Sequence, residues 1–124
     1  MLNVKLNQSI LKVLRPALAG AVGTIKRELK DGRASLYKLN QLYVITRKEG
    51  VELVIVAIAG RKLTDAVNPL LHYAQVMGCT SIRWHTRYPE RIQHGFASLP
   101  VTLIEIRQHL LYKEYVYRMV LHGQ

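Results

Sequence analysis

Cysteine is nearly absent from this 124-residue chain: Cys79 stands alone. No intrachain disulfide can form, which excludes a disulfide-stapled secreted domain and makes a reducing cytoplasm the expected compartment. Proline, at 4 residues, and glycine, at 8, are too sparse for a collagen or a low-complexity tract. Long hydrophobic runs are missing too. The longest, Leu53 to Ala59, falls far short of a bilayer span, so no membrane association is expected. The opening stretch MLNVKLNQSILKVLRP lacks a continuous apolar segment followed by a small-residue cleavage site, so no export signal is expected either. Acidic residues are few, 8 against 18 Lys and Arg.

What is present is apolar and basic. A 49% hydrophobic content excludes an intrinsically disordered chain, and the length suits one domain over residues 1–124 with a single core. The net charge of +10 favours a polyanionic partner: nucleic acid, an acidic protein or a phosphate-bearing small ligand. The cations are spread out, with local clusters at Lys26-Arg27-Lys30-Arg33, Arg47-Lys48, Arg61-Lys62 and Arg83-Arg87-Arg91. The plainer alternative for any one cluster is a solvated face that serves solubility alone.

Hydrophobic spacing orders the chain. Leu18, Ala21, Val22, Ile25 and Leu29 recur at intervals of three and four, so a helix is expected there. Pro16 suits a first helical turn, which predicts a short helix to about Leu14, a break, and a second helix from Pro16 to Lys30, ended at Asp31-Gly32. Ser35 to Leu39, Leu42 to Arg47 and Glu52 to Ala59 read as an antiparallel meander joined by tight turns. The third of these is apolar on both faces, the pattern of a central strand covered from both sides. A helix follows, with Val67, Leu70, Leu71, Ala74 and Met77 on one face, Gly78 at its end, and Asp65 or Asn68 as its cap. Ser81 to Thr86 is then a strand reached through a helix, hence parallel to Glu52–Ala59. A short helix from Pro89 to His94 and an antiparallel hairpin of Val101 to Arg107 with Tyr115 to His122 complete the chain. The expected class is α+β: a mixed, mainly antiparallel sheet with helices on both faces, in the order α-α-β-β-β-α-β-α-β-β.

Chemistry is expected where the central strand hands over to its helix, at Gly60, Arg61, Lys62, Leu63, Thr64, Asp65 and Ala66. Unpaired amides at a helix start, with two adjacent cations, suit a phosphate. The other reading is an ordinary loop whose basic residues face water.

This order of elements resembles the GNAT superfamily of N-acetyltransferases over nearly the whole chain, with the family's first strand missing or reduced to Leu2 to Leu6. The family's pyrophosphate motif has Arg or Gln, two residues, Gly, one residue, then Gly or Ala. Arg61 and Ala66 match its ends, and Thr64 replaces the central Gly. His94-Gly95-Phe96 is similar to the family's Gly-Phe helix end, whereas Arg91 stands where a Tyr is usual and no Asn occurs from Cys79 to Phe96. The resemblance implies acetyl-coenzyme A between the two parallel strands where they splay, with His85 and Tyr88 as candidate proton carriers. Each has a plainer reading, His85 as a strand-end surface residue and Tyr88 as a staple at the next helix start. The resemblance also admits a non-catalytic accessory protein of bacteriophage type, in a bacterial host cytoplasm or a virion, that binds nucleic acid or an acidic protein.

The other residues carry weaker patterns. The histidines and Cys79 lack metal-ligand spacing, so no metal is expected, and Cys79 reads as a buried filler. Glu52 reads as a solvated charge, and Trp84 with Ile82 as core. Tyr112, Tyr115 and Tyr117 alternate with Lys113 and Arg118, a surface able to stack bases, although core or dimer packing of Tyr115, Tyr117, Met119 and Leu121 fits the same alternation. A homo-oligomer built on the Tyr115 to Leu121 strand is a third expectation.

Overall fold

A computed structural model describes residues 1–91 and 99–121. Helix α1 spans Gln8–Leu18, and the Asn7 side chain caps it by accepting the Ile10 amide at 2.9 Å. Ile10, Leu11, Leu14 and Leu18 form its buried stripe. Pro16 lies inside this helix, so the break expected after Leu14 falls instead at the 3₁₀ turn Ala19–Ala21, before α2, Val22–Lys30. The carbonyl that Pro16 leaves without a donor belongs to exposed Lys12, which water can satisfy. Continuing the helix carries Leu18 into the core beside Leu14. Helix α2 ends as expected: Gly32 takes φ +76°, Gly32 N–H donates to Leu29, and Arg33 N–H donates to the Glu28 carbonyl at 2.9 Å.

Seven strands form one sheet in the order β1-β2-β3-β4-β5-β7-β6. They are β1 (Leu2–Asn3), β2 (Ser35–Leu39), β3 (Leu42–Glu49), β4 (Glu52–Gly60), β5 (Ser81–Thr86), β6 (Val101–Gln108) and β7 (Lys113–Val120). The α+β class holds, with β4–β5 the parallel pair and every other pairing antiparallel. The first strand is indeed reduced, to two residues paired with β2.

Strand β4 lies mid-sheet and is covered on both faces. On one, Ile10, Leu14, Leu18 and Ile25 pack against Leu36, Ile45 and Ala57. On the other, Leu70 and Ala74 of α3 (Val67–Val76) pack against Val44, Leu53, Ile55, Ile82, Trp84 and Met119. Trp84 and Ile82 are therefore core, and Cys79 is buried among them; burial pushes its thiol pKa up. Among the described residues, no helix is long and apolar enough to cross a membrane.

Three further expectations need correction: the α3 cap, the bounds and place of the last strand, and the exposure of Glu52. Neither Asp65 nor Asn68 caps α3 with its side chain; the 3₁₀ turn Leu63–Ala66 leads into it, and Pro69 falls in its first turn. The segment after β5 forms a 3₁₀ turn at Pro89–Arg91, while the rest of the expected Pro89–His94 helix and His94-Gly95-Phe96 lie outside the described residues, as does His122. Strand β7 begins two residues before Tyr115 and runs between β5 and β6, so the free edge on that side is β6 rather than the Tyr115–Leu121 strand.

Glu52, read as a solvated charge, is 9% exposed. Its carboxylate accepts from Arg118 Nε at 2.6 Å, Ser81 Oγ at 2.6 Å and Arg83 Nη1 at 3.0 Å. The parallel β4–β5 register and the β5–β7 ladder bring these four residues together. The Arg118 hydrogen bond holds the Glu52 pKa below the usual carboxylate range against the opposing effect of burial.

Candidate functional site

The two parallel strands pair from Glu52↔Ser81 to Ile55↔Trp84 and then part. On its other side β4 is irregular at the same point. Thr46 of β3 opposes Ile55 and Ile45 opposes Ala57, so Val56 is an extra residue, a β-bulge. A bulge bends its strand, which turns the last residues of β4 away from β5. From Val56 to Gly60 the β5 side of β4 has no strand partner. The opening is a cleft of about 840 Å³. Residues 55–59 form one wall and 84–88 the other; the end of α1 closes one side and Leu63, Ala66 and Leu70 another.

At the β4 end of this cleft, the chain folds tightly. Gly60 takes φ +130°, and a Cβ there would run into the Gln41 carbonyl oxygen and come within 2.9 Å of Leu42 Cα. Lys62 adopts the left-handed conformation, φ +61°. Arg61 N–H donates to the Gln41 carbonyl at 3.2 Å, Asp65 N–H to Lys62 at 3.0 Å, and Val67 N–H to Thr64. The amides of Lys62, Leu63 and Thr64 have no acceptor among the described residues. The Arg61 and Lys62 side chains are exposed and form no ion pair among those residues. Ala66 is buried and Leu63 packs on the α3-side core, so these two position the turn. Thr64 and Asp65 are exposed.

His85 and Tyr88 both line the cleft. His85 Nδ1 lies 2.9 Å from Glu114 Oε2, and Glu114 Oε1 lies 3.0 Å from His109 Nε2. Burial acts to raise the Glu114 pKa, but the hydrogen bonds to His109 and His85 outweigh it and hold the pKa below the ordinary carboxylate range. An ionised carboxylate only accepts hydrogen bonds. His85 Nδ1 is therefore the donor to Glu114, and in the neutral ring this tautomer puts the lone pair on Nε2. Tyr88 is exposed, and its amide donates to Thr86 Oγ1 at 3.0 Å.

Glu114, His109, Tyr112 and Arg87 escaped the sequence reading as a group. The His109 ring stacks on Tyr112, centroids 4.4 Å apart, and Arg87 Cζ lies 3.7 Å over the same tyrosine. Their meeting depends on the β5–β7 register and the β6–β7 turn, and spacing along the chain encodes neither. Among the described residues no cluster of His, Cys, Asp and Glu could hold a metal ion.

A mainly antiparallel sheet opened at its parallel pair, with a helix starting at the mouth, is the GNAT acetyltransferase fold, and this chain has it. The structure is similar to a Bacillus subtilis acetyltransferase in complex with CoA, with a TM-score of 0.75 and 12% identity over 98% of this chain and 97% of that one. It is similar as well to the ribosomal-protein-S18-alanine N-acetyltransferase of Escherichia coli (TM-score 0.69, 13% identity, 98% and 95% covered). Ard1 from Thermoplasma volcanium aligns with a TM-score of 0.67 at 9% identity, 97% of each chain covered. No protein-family model matches the chain. No curated protein matches it.

Proposed function

We propose that the protein binds acetyl-CoA in the β4–β5 cleft and transfers its acetyl group to an amine. The observation that carries this reading is the coincidence of the cleft with the three unpaired amides of Lys62, Leu63 and Thr64 at one end. Three consecutive unpaired amides at a turn, beside Arg61 and Lys62, match a diphosphate in charge and hydrogen-bonding capacity. The unpartnered edge of β4 beyond Ile55 suits the amide groups of an extended pantetheine arm, as a missing strand would. The B. subtilis structure, which holds CoA on the same fold, supports the assignment. Thr64, which replaces the family's usual Gly, is exposed, so its side chain has room to turn outward.

Bound acetyl-CoA supplies the acetyl group as a thioester. The acceptor nitrogen must lose a proton as it attacks, and the sulfur must gain one as it leaves. His85 Nε2 is the proposed base, with its ring fixed by Glu114 through Nδ1. Tyr88 is the proposed acid, and its phenol hydroxyl donates to the departing thiolate. Glu114 acts through His85 and is a positioning residue.

Thiol release from acetyl-CoA across a panel of primary amines tests the reading. Turnover with at least one amine, lowered by roughly 10²–10⁴ in His85→Gln, is the expected result. Absence of turnover with every amine, in a protein that retains its fold, counts against it.

A second reading has one observation in its favour. Lys12, Arg15, Lys26, Arg27 and Lys30 of the α1–α2 pair are all exposed and form no ion pair among the described residues. Five exposed cations without acidic partners among those residues would serve a nucleic-acid-binding or acidic-protein-binding role without catalysis. Heparin or DNA retention that falls steeply with salt, together with no response to CoA, would favour it.

A further inference from the structure

Beside the cleft lies a second, open depression of about 850 Å³, formed where the β6–β7 turn meets the segment after β5. It shares Arg87, Tyr88 and Tyr112 with the cleft. Resting on the acetyl-transfer reading, we infer that this depression seats the acceptor, and that the acceptor is amino-acid-like: a primary amine with a nearby carboxylate and an apolar side chain.

The charge of the depression points to the carboxylate. Arg87 Cζ lies over the Tyr112 ring, 3.7 Å from its centroid, a stacking distance. Stacking occupies the face of a guanidinium and leaves its N–H edge open, the edge that pairs with a planar oxyanion. Lys113 lines the same depression. Neither forms an ion pair among the described residues, whereas Arg47, Arg83, Arg107 and Arg118 all do. Glu114, reached through His109, does not compete for them, because its two oxygens already accept from the two imidazoles.

The apolar side chain follows from the turn itself. Leu110 is 95% exposed and Leu111 is 90% exposed, and both line the depression next to the cations. Two adjacent bare leucines on a turn are costly in water, and a ligand side chain laid across them removes that surface. His109 lines the depression and His85 the cleft, and Glu114 bridges the two rings, so this histidine–carboxylate chain links the proposed carboxylate seat to the proposed base.

The test compares L-phenylalanine, phenylalanine amide and phenethylamine as acceptors, and separately titrates L-phenylalanine into the cofactor-free protein by amide-resolved NMR. Phenylalanine should exceed its amide by about tenfold or more in kcat/KM, the size of effect one charge-assisted hydrogen-bonded pair provides. Arg87→Gln should erase that preference, making phenylalanine and its amide equal acceptors. Arg87→Lys, which keeps the charge without the fork, should retain part of it. Shifts centred on Arg87, Tyr112 and Lys113 are expected in the titration. Equal use of phenylalanine and its amide, or a preference unaltered in Arg87→Gln, overturns the inference and leaves acetyl transfer standing. Phenylalanine binding at Arg87 with no transfer to any amine overturns the acetyl-transfer reading and keeps the ligand class. Neither binding nor transfer overturns both.

Discussion

Ile55 and Trp84 form the last rung between the two parallel strands, and the bulge at Val56 follows directly. The strands therefore part at a defined residue, above a floor made by the α3-side core. A ligand cleft in the middle of a sheet would ordinarily leave backbone groups unpaired and buried, which is costly. Here the unpaired edge faces the cleft, where an extended ligand can satisfy it.

The mouth of the cleft depends on Gly60. Its φ of +130° is one that side chains rarely adopt, and an added Cβ would meet the Gln41 carbonyl. Gly60→Ala should lower stability by roughly 2 kcal/mol or more, read from the urea midpoint. Any remaining folded protein should bind CoA more weakly, since the β2–β3 turn and the Arg61 amide would have to shift together.

Glu52 makes stability depend on pH in a stated direction. Its folded pKa is depressed, by the Arg118 hydrogen bond above all. The stabilisation is thus fully present above the unfolded carboxylate value of about 4.3 and is lost as pH falls through the lower folded value. Glu52→Gln should destabilise the protein at pH 7 by roughly 2 kcal/mol, and the gap from wild type should close below about pH 4. Urea unfolding at a series of pH values measures both.

Glu114 lies 2.9 Å from His85 and, in the proposed positioning role, should affect turnover more than binding. Glu114→Gln should reduce kcat by roughly tenfold or more with little change in KM for acetyl-CoA. The amide can present its nitrogen to His85 and so stabilise the other tautomer, with the proton on Nε2 where the base is needed. Glu114→Asp, which restores the charge, should recover part of the loss. A change in KM alone would mark the residue as structural.

Much of the architecture was legible because it is written in local pattern. The two-faced apolar run of β4 put it mid-sheet, and Gly32 and Gly78 marked helix ends that the structure closes in the expected way. Pro16 misled, because a proline near a helix end is tolerated where the orphaned carbonyl is exposed and the next turn buries a leucine. Glu52 misled for a different reason: its partners Arg83 and Arg118 are 31 and 66 residues away. Alternation along one strand cannot reveal which charges a three-strand register will bring to it. The same limit hid Glu114, whose two imidazoles come from β5 and from the β6–β7 turn, while the Gly60–Ala66 loop stood out because strand, turn and helix are contiguous there.

Binding of CoA measures the central claim most directly. In a thermal-unfolding titration, saturating CoA should raise the melting temperature of the wild-type protein by about 5 °C or more, and Arg61→Ala/Lys62→Ala should abolish most of that rise while melting normally without ligand. No rise in the wild type, or an equal rise in the double variant, would contradict the placement of a diphosphate at the end of β4.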